Sequence, residues 1–349
     1  MVWKGLLFYA GKETRYMKKC SVGGQAVMEG VMMKSPTGIA MAVREPDGSI
    51  ALDYMPFTTK AQKGTFLGLP IVRGVVAFVE SISLGMGTLT KSAELAGEDY
   101  QEEPGKFEKW LAKKLGKSVE KVVMGMAVVI AVALSFGLFF LLPQLISSAV
   151  FSKVAAGSLA KSLTEGVIRL LIFVGYILFC ASVKEVRRIF MYHGAEHKTI
   201  ACYEAEEAVT PENAMKHRRL HPRCGTNYLF LVMAVSILFF AVIGWNASFW
   251  MRILSRILFL PLVAGVSYEL LRFAAKYENF LTKAIRAPGM ALQYITTKEP
   301  TEDMLEVAIE AFNLAMLPDA EAKAKLAAHK AAKAQAEEAA AAQAPQAEA

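Results

Sequence analysis

The chain alternates long uncharged apolar runs with charged segments, a pattern typical of helices that cross a lipid bilayer. The plainest run is Val122–Ser152, which has 31 residues without a charged side chain. Leu170–Val183 is a second run, long enough to span when the residues just before it are included. Cys224–Met251 is a third, and Arg252–Arg272 is a weaker fourth with charges at both ends. We therefore predict an α-helical multi-pass membrane protein with about four transmembrane helices.

A fifth apolar stretch, Phe66–Leu89, differs from the others because it contains Arg73 and Glu80, two turns apart on one helical face. If this stretch crossed the bilayer, a lysine-rich segment would lie on the outer side, against the usual distribution of positive charge. The pattern therefore favours an interfacial or re-entrant helix over a spanning one.

Basic residues predict the orientation. Lys and Arg are concentrated before the first run, between the second and third, and after the fourth, whereas the other two loops carry two each. Cytoplasmic loops of membrane proteins carry this excess, so both termini and the long central loop should be cytoplasmic. The net charge of +7 suits an anionic membrane surface. The expected partners are the lipid bilayer and, as an open alternative, another membrane protein; nothing indicates nucleic acid.

The N-terminal part is predicted to be a small β-rich cytoplasmic unit. Ile39–Glu45 and Ile50–Phe57 flank a Pro-Asp-Gly-Ser turn, which predicts a hairpin. Before it, Gly23–Gly30 surrounds the carboxylate of Glu29 with glycines. Such glycines indicate either a close approach of the backbone to another group or a bulged strand.

Beyond the fourth run, Thr301–Met316 places apolar residues at helical spacing and predicts a helix that packs on the cytoplasmic unit or on the membrane surface. The predicted organisation is an N-terminal segment (1–20), the β-rich unit (21–64), the interfacial or re-entrant helix (65–92), a linker with a basic helix (93–121), a four-helix membrane domain (122–272) containing a His-rich cytoplasmic loop (184–227), C-terminal cytoplasmic helices (273–317) and an Ala/Lys/Glu-rich tail (318–349).

The histidines give the sharpest chemical signal, because four of the five lie within 29 residues of the central loop: His193, His197, His217 and His221. On a helix, His193, Glu196 and His197 share one face, so two imidazoles can bind one metal ion with a carboxylate beside them. This order is that of the inverted zincins, in which the Glu handles a proton. The same histidine pair could instead cap helix carbonyls or face lipid head groups.

A mononuclear catalytic site needs a third protein ligand and an open position. The candidates that the sequence leaves open are Glu204, Glu206, Glu207, His221 and Cys224. His217 is the weakest of the four histidines, because the neighbouring Arg218 and Arg219 oppose the binding of a cation.

Three motifs together resemble one bacterial membrane family, named domain of unknown function 1385. They are Val22–Met33, Tyr192–Lys198 and Leu220–Thr226, and shorter similarities occur at Arg73–Ser81 and Thr297–Pro300. The resemblance covers about residues 20–317 and implies a metal-dependent, multi-pass membrane protein. It favours His193, Glu196, His197, His221 and Cys224 as site residues. It also implies that Gln25 and Glu29 are ligands or partners that hold a ligand in place.

The leading hypothesis is a cytoplasm-facing membrane metalloprotein of the cell membrane. His193 and His197 would bind Zn²⁺ or a similar divalent ion, His221 or Cys224 would complete the ligand set, and Glu196 would handle the proton. If the protein is an enzyme, metal-dependent hydrolysis of a lipid or peptide bond is the best-motivated class. The alternative is a non-catalytic membrane assembly or scaffold protein, with a structural metal or hydrogen-bond clasp. Transport is less supported, because the uncharged runs contain no charged residue to line a pathway.

Overall fold

The computed structural model describes residues 22–97, 119–152, 157–243, 248–277 and 279–343. The predicted N-terminal segment 1–20 and most of the predicted linker 93–121 lie outside these residues. The described strands are β1 (Gly23–Val27), β2 (Gly30–Lys34), β3 (Gly38–Arg44) and β4 (Ile50–Pro56). The described α-helices are α1 (Val72–Leu95), α2 (Val119–Phe136), α3 (Leu142–Val150), α4 (Ser158–Ser182), α5 (Lys184–Glu204), α6 (Pro211–Lys216), α7 (Gly225–Ile243), α8 (Phe249–Lys276), α9 (Phe280–Thr296), α10 (Glu302–Met316) and α11 (Asp319–Gln343). A π-helical turn (Gly137–Leu141) joins α2 to α3.

Five of the described helical segments are long and apolar enough to cross a membrane. Four of them correspond to the predicted runs, and α1 is one more than the predicted number. Large apolar side chains point outward along these segments; Val129 is 67% exposed, Leu171 66% and Val242 86%. The predominantly helical fold with a small N-terminal sheet agrees with the helical and β-rich parts of the predicted fold class.

The four strands form one antiparallel sheet in the order β1-β2-β3-β4. The predicted hairpin is present as β3 and β4, and Gly48 adopts a φ of 88° in its turn. In the first hairpin, Val27 pairs with Gly30, so the loop has only two residues. Glu29 lies in this loop with a φ of 47°, a left-handed conformation that is uncommon outside glycine. The Gly23–Gly30 motif is therefore a strand and a tight turn, and not a bulged strand.

The sheet, α5 and α10 share one hydrophobic core. Val31, Met33 and Tyr192 contribute fully buried side chains from β2 and α5, and Leu305 and Leu314 contribute them from α10. The predicted C-terminal helix is confirmed as α10, and its predicted apolar face is buried here. The opposite face of the sheet packs against the end of α1. The helix α5, which carries two of the histidines, is thus held between a sheet and a second helix.

The two charged residues in the apolar part of α1 both have partners. Arg73 donates from Nε to Glu269 Oε1 of α8 at 2.7 Å, and its other end makes a salt bridge with the same carboxylate. Glu80 accepts from the Lys60 backbone N–H at 2.7 Å and from the Thr59 hydroxyl at 2.8 Å. The charge of Arg73 is therefore paired, and the carboxylate of Glu80 is hydrogen-bonded to the preceding segment.

Helix α1 contacts α7 and α8 near the ends of these helices that adjoin the sheet. Its Phe78 ring lies 6.3 Å from the ring of Tyr228, in the first turn of α7. Further along, Ser92 Oγ accepts from the Met28 backbone N–H of the first hairpin at 3.1 Å. Both halves of α1 therefore contact the sheet side of the molecule, by which we mean the end where the helices meet the sheet and α5.

Candidate metal centre

The helix α5 starts where α4 ends, after a single extended residue, Val183. Its second half is buried almost continuously. Gly194 is required there, because a Cβ at this position would overlap the carbonyl oxygen of Lys298. The Lys298 N–H donates to the Phe190 carbonyl at 2.8 Å, so the segment after α9 runs directly against α5. The glycine between His193 and Ala195 thus lets this segment approach the histidines.

Three side chains place ligand atoms together at this point. These are the nitrogens of His193 and His197 and the sulfur of Cys224, all within 4.8 Å of one another; we call these three residues the ligand group. His193 Nε2 lies 3.2 Å from Cys224 Sγ. The centroids of the two imidazole rings lie 4.4 Å apart, as expected for residues one helical turn from each other.

Each imidazole of the ligand group is held through its other nitrogen. His193 Nδ1 donates to the Thr296 carbonyl at 2.8 Å, and His197 Nδ1 donates to the Arg219 carbonyl at 2.6 Å. Because a carbonyl only accepts, Nδ1 carries the proton and the lone pair of each neutral ring lies on Nε2. His197 Nε2 is buried and has no hydrogen-bond partner among the described residues. Burial also lowers the pKa of His197, which keeps the ring neutral. These residues fit a divalent metal ion.

The third member, Cys224, immediately precedes α7. The Thr226 backbone N–H donates to its sulfur at 3.4 Å, and the Thr226 hydroxyl does so at 3.3 Å. The N-terminus of a helix favours negative charge, and a metal ion binds cysteine as the thiolate. The position of the sulfur therefore suits a metal ligand.

His221 lies beside the ligand group and is not part of it. Its ring centroid is 5.6 Å from that of His197, and its Nε2 faces Glu204 Oε2 at 3.3 Å. The Gln293 side chain accepts from the His221 backbone N–H at 2.8 Å and donates to its carbonyl at 2.9 Å. Burial lowers the pKa of His221 to about 4, so the ring is neutral. Of the two candidates for the third ligand, the structure brings Cys224 to the histidines and engages His221 elsewhere.

Glu196 is 4% exposed and lies next to these rings. Burial raises the pKa of the Glu196 carboxyl and outweighs the opposing influence of His193 and His221. The Gly24 N–H donates to this carboxyl, while its Oε2 has no partner among the described residues. A Cβ on Gly24 would lie 2.9 Å from the carboxyl carbon. The glycine-rich motif therefore allows a close approach, and the group approached is a carboxyl of the same chain.

Glu29 and Gln25 are not members of the ligand group. Glu29 accepts two bonds of 2.5 Å from Arg188 and one of 3.3 Å from the Tyr192 hydroxyl. Gln25 packs against α1, where a Cβ on Gly85 would lie 3.1 Å from its Oε1. In this structure the two residues therefore attach the sheet to α5 and α1.

A second set of potential ligand atoms lies at the end of α5. The atoms of Cys202, Glu207 and His217 are within 4.8 Å of one another, and His217 Nε2 lies 3.2 Å from Glu207 Oε2. His217, predicted to be the weakest candidate among the four histidines, is thus part of this second set, a proximity that the sequence does not predict. The signal that could have found it is the short chain reversal between Cys202 and α6, which returns His217 to the end of α5.

The geometry can now be compared with known proteins. Residues 69–317 match the family model described as a protein of unknown function (DUF1385), a segment that includes the whole ligand group but not the sheet. The chain is 31% identical over 292 residues to the uncharacterized protein YqhQ of Bacillus subtilis (strain 168), covering 83% of this chain and 91% of that protein. No solved structure matches the chain. As its three motifs indicate, the chain belongs to the DUF1385 family of proteins of unknown function.

Proposed function

We propose that the protein is a multi-pass protein of the cell membrane, whose sheet, α5 and α10 form one cytoplasmic unit. The spanning segments would be α2 with α3, α4, α7 and α8. Support comes from their length, their apolar composition and their exposed apolar side chains. The basic central loop indicates that the sheet side faces the cytoplasm.

The connectivity supports four spans with α1 at the interface. The sheet precedes α1, and α5 follows α4, yet β1 packs directly on α5. With four spans, the sheet, α5 and α10 all lie on one side of the bilayer. If α1 also crossed, the bilayer would separate the sheet from α5, which their shared core excludes. The partners of Arg73 and Glu80 and the contacts of α1 near the ends of α7 and α8 suit an interfacial or re-entrant helix.

We further propose that the ligand group binds a divalent metal ion, with Zn²⁺ the best match to two imidazoles and one thiolate. The observation that carries this proposal is the His197 Nε2 atom, which is buried, without a hydrogen-bond partner among the described residues, and adjacent to two other ligand atoms. An unsatisfied buried nitrogen is costly unless another group binds it. Three protein ligands also leave one coordination position open, as in catalytic zinc sites.

The enzymatic form of the proposal is metal-dependent hydrolysis of a lipid or peptide bond at the cytoplasmic edge of the membrane. When bound, the metal would supply Lewis acidity at this position. Glu196 would hold or move a proton at Oε2, since this atom has no partner among the described residues and burial raises the pKa of its carboxyl. Gly24 would fix the orientation of the carboxyl through its N–H.

A structural metal clasp in an assembly protein is the second candidate, and the closed character of the site favours it. His197 is 1% exposed and Glu196 is 4% exposed, which leaves little surface for a substrate. The ligand group also joins three elements, because His193 bonds to Thr296 of α9 and Cys224 precedes α7. A metal here would fasten α5 to the start of α7, while the hydrogen bond from His193 to Thr296 attaches α5 to the end of α9.

Two variants separate these candidates. His197→Ala should lose the metal that the wild-type protein retains after purification without chelator, at about one equivalent per chain. The control is His329→Ala, which removes a histidine that bonds to the Ile50 carbonyl on the sheet. Glu196→Gln should keep the metal; an enzyme then loses hydrolysis of its lipid or peptide substrates, whereas a clasp keeps its cellular function. A wild-type protein without metal would refute both candidates.

A further inference from the structure

Four polar side chains are buried among the apolar helices, at the end opposite the ligand group. Gln144 lies on α3, Glu165 and Arg169 on α4, and Arg256 on α8, and none is more than 7% exposed. Glu165 and Arg256 are each the eighth residue of a helix whose other end lies on the sheet side. We call these four residues the buried polar cluster. In membrane proteins, ionisable side chains that are buried among the membrane-spanning helices commonly belong to functional sites.

The charges of this cluster do not balance. Glu165 Oε1 accepts from Arg169 at 2.6 Å and also from Arg256. One carboxylate therefore serves two guanidinium groups, which leaves one positive charge. Arg252, one turn earlier on α8, also lies within electrostatic range of Glu165, but it is partly exposed and is not counted with the buried charges. Burying an uncompensated charge among apolar helices is costly, so the arrangement calls for one negative charge from outside.

The hydrogen-bonding capacity of the cluster is also incomplete. Among the described residues, two buried donors have no acceptor, the Nε of Arg169 and the Nε2 of Gln144. One buried acceptor, Glu165 Oε2, has no donor. Gln144 faces the cluster, because its Oε1 accepts from Arg256 at 3.0 Å. A ligand that completes this set offers at least two acceptors and one hydrogen donor.

We propose that the buried polar cluster binds a singly charged phosphate group, either a phosphate monoester or dihydrogen phosphate. The charge of such a group balances the excess positive charge. Its unprotonated oxygens accept from Arg169 and Gln144, and its P–OH donates to Glu165. The ligand would be either the headgroup of a lipid such as phosphatidic acid or free inorganic phosphate. This site would be separate from the metal centre and independent of whether that centre is catalytic.

The test uses the full-length protein in nanodiscs and two probes. In the lipid arm, nanodiscs of phosphatidylcholine contain a minor fraction of either phosphatidic acid, a monoester, or phosphatidylglycerol, a diester without P–OH. Native mass spectrometry then measures the lipid retained by the protein. In the free arm, inorganic phosphate is titrated into phosphatidylcholine nanodiscs and binding is measured by calorimetry. Preferential retention of phosphatidic acid identifies a headgroup site, and binding in the free arm alone identifies a phosphate site.

Three variants assign the binding to the cluster. Gln144→Met removes a donor without changing the charge, and Arg256→Met removes a guanidinium; each should weaken binding by about tenfold or more. The control is Arg73→Met, which removes a guanidinium that is already fully paired with Glu269 and should leave binding unchanged. Gln144→Met keeps the proposal testable if Arg256→Met fails to fold.

Two outcomes would overturn the proposal. Absence of binding in both arms with the folded wild-type protein would identify the cluster as a purely structural ion network. Equal affinity in the wild-type protein and Gln144→Met, or equal retention of phosphatidylglycerol and phosphatidic acid, would show that the donors and the acceptor of the cluster do not select the ligand. Neither outcome bears on the metal content, so failure here is distinguishable from failure of the metal proposal.

Discussion

His193 Nε2 lies 3.2 Å from Cys224 Sγ, although 31 positions separate the two residues in the chain. One lies in the buried half of α5 and the other immediately before α7. Their approach depends on the chain reversal between these helices, which also brings the Arg219 carbonyl to His197. The metal proposal rests on this convergence of His193, His197 and Cys224.

Replacing His221 should leave metal binding intact. His221 bonds to Glu204 and Gln293 and lies outside the ligand group, so His221→Gln should retain the metal that Cys224→Ser loses. The variant should unfold at lower denaturant concentration, because Glu204 loses a buried partner. Metal analysis and chemical denaturation of both variants check this. Loss of metal in His221→Gln with an unchanged fold would make His221 the third ligand.

Gly24→Ala should disturb Glu196, whereas Gly23→Ala should not. A methyl group on Gly24 would lie 2.7 Å from the Met32 carbonyl oxygen and 2.9 Å from the carboxyl carbon of Glu196, while nothing lies within 4 Å of such a group on Gly23. We expect Gly24→Ala to lower the free energy of unfolding by about 1–3 kcal/mol. Thermal and chemical denaturation of the adjacent pair measures the difference. Equal stabilities would show that β1 does not press on Glu196.

Glu29→Gln should change stability slightly and metal content not at all. The pair of Glu29 and Arg188 is partly exposed, with side-chain exposures of 23% and 52%, so solvent screens it and the loss should be at most about 1 kcal/mol. A double-mutant cycle with Arg188→Met should show that the two changes are not additive. Metal loss in Glu29→Gln would instead support Glu29 as a ligand or as the partner of one.

Both ends of α1 should be accessible from the same side of the membrane. Lys60 and Glu94 are exposed; Lys60 precedes α1 and Glu94 lies in its last turn, whereas Ser248 lies at the opposite end of α8. Cysteines introduced at Lys60 and Glu94 should react with an impermeant maleimide only in inside-out vesicles, relative to the parent protein. A cysteine at Ser248 should react only in right-side-out vesicles. Opposite labelling of positions 60 and 94 would show that α1 spans.

Local patterns in the sequence predict much of the fold. The four long apolar runs appear as helices, the Pro-Asp-Gly-Ser turn lies in the second hairpin, and the spacing of Met304 and Phe312 predicts the buried face of α10. These features depend on residues close together in the chain. The position of α1 does not depend on nearby residues alone, because Arg73 pairs with Glu269, 196 positions away in the chain.

The candidate site is predictable only in part. The helical spacing of His193 and His197 indicates a shared face, but the choice between His221 and Cys224 depends on Gln293, which holds the His221 backbone from 72 positions away. Likewise, the partner of Glu29 is Arg188, 159 positions away. The glycine-rich sequence around Glu29 therefore indicates a ligand, although in the fold the carboxylate attaches the sheet to α5.

X-ray absorption at the metal edge, on the full-length protein purified without chelator, identifies the bound metal and its ligand atoms. From the metal proposal we expect zinc bound by one sulfur at about 2.3 Å and by imidazole nitrogens at about 2.0 Å, with the sulfur signal lost in Cys224→Ser. A wild-type protein without metal, or a bound metal with a shell that contains no sulfur, would contradict it.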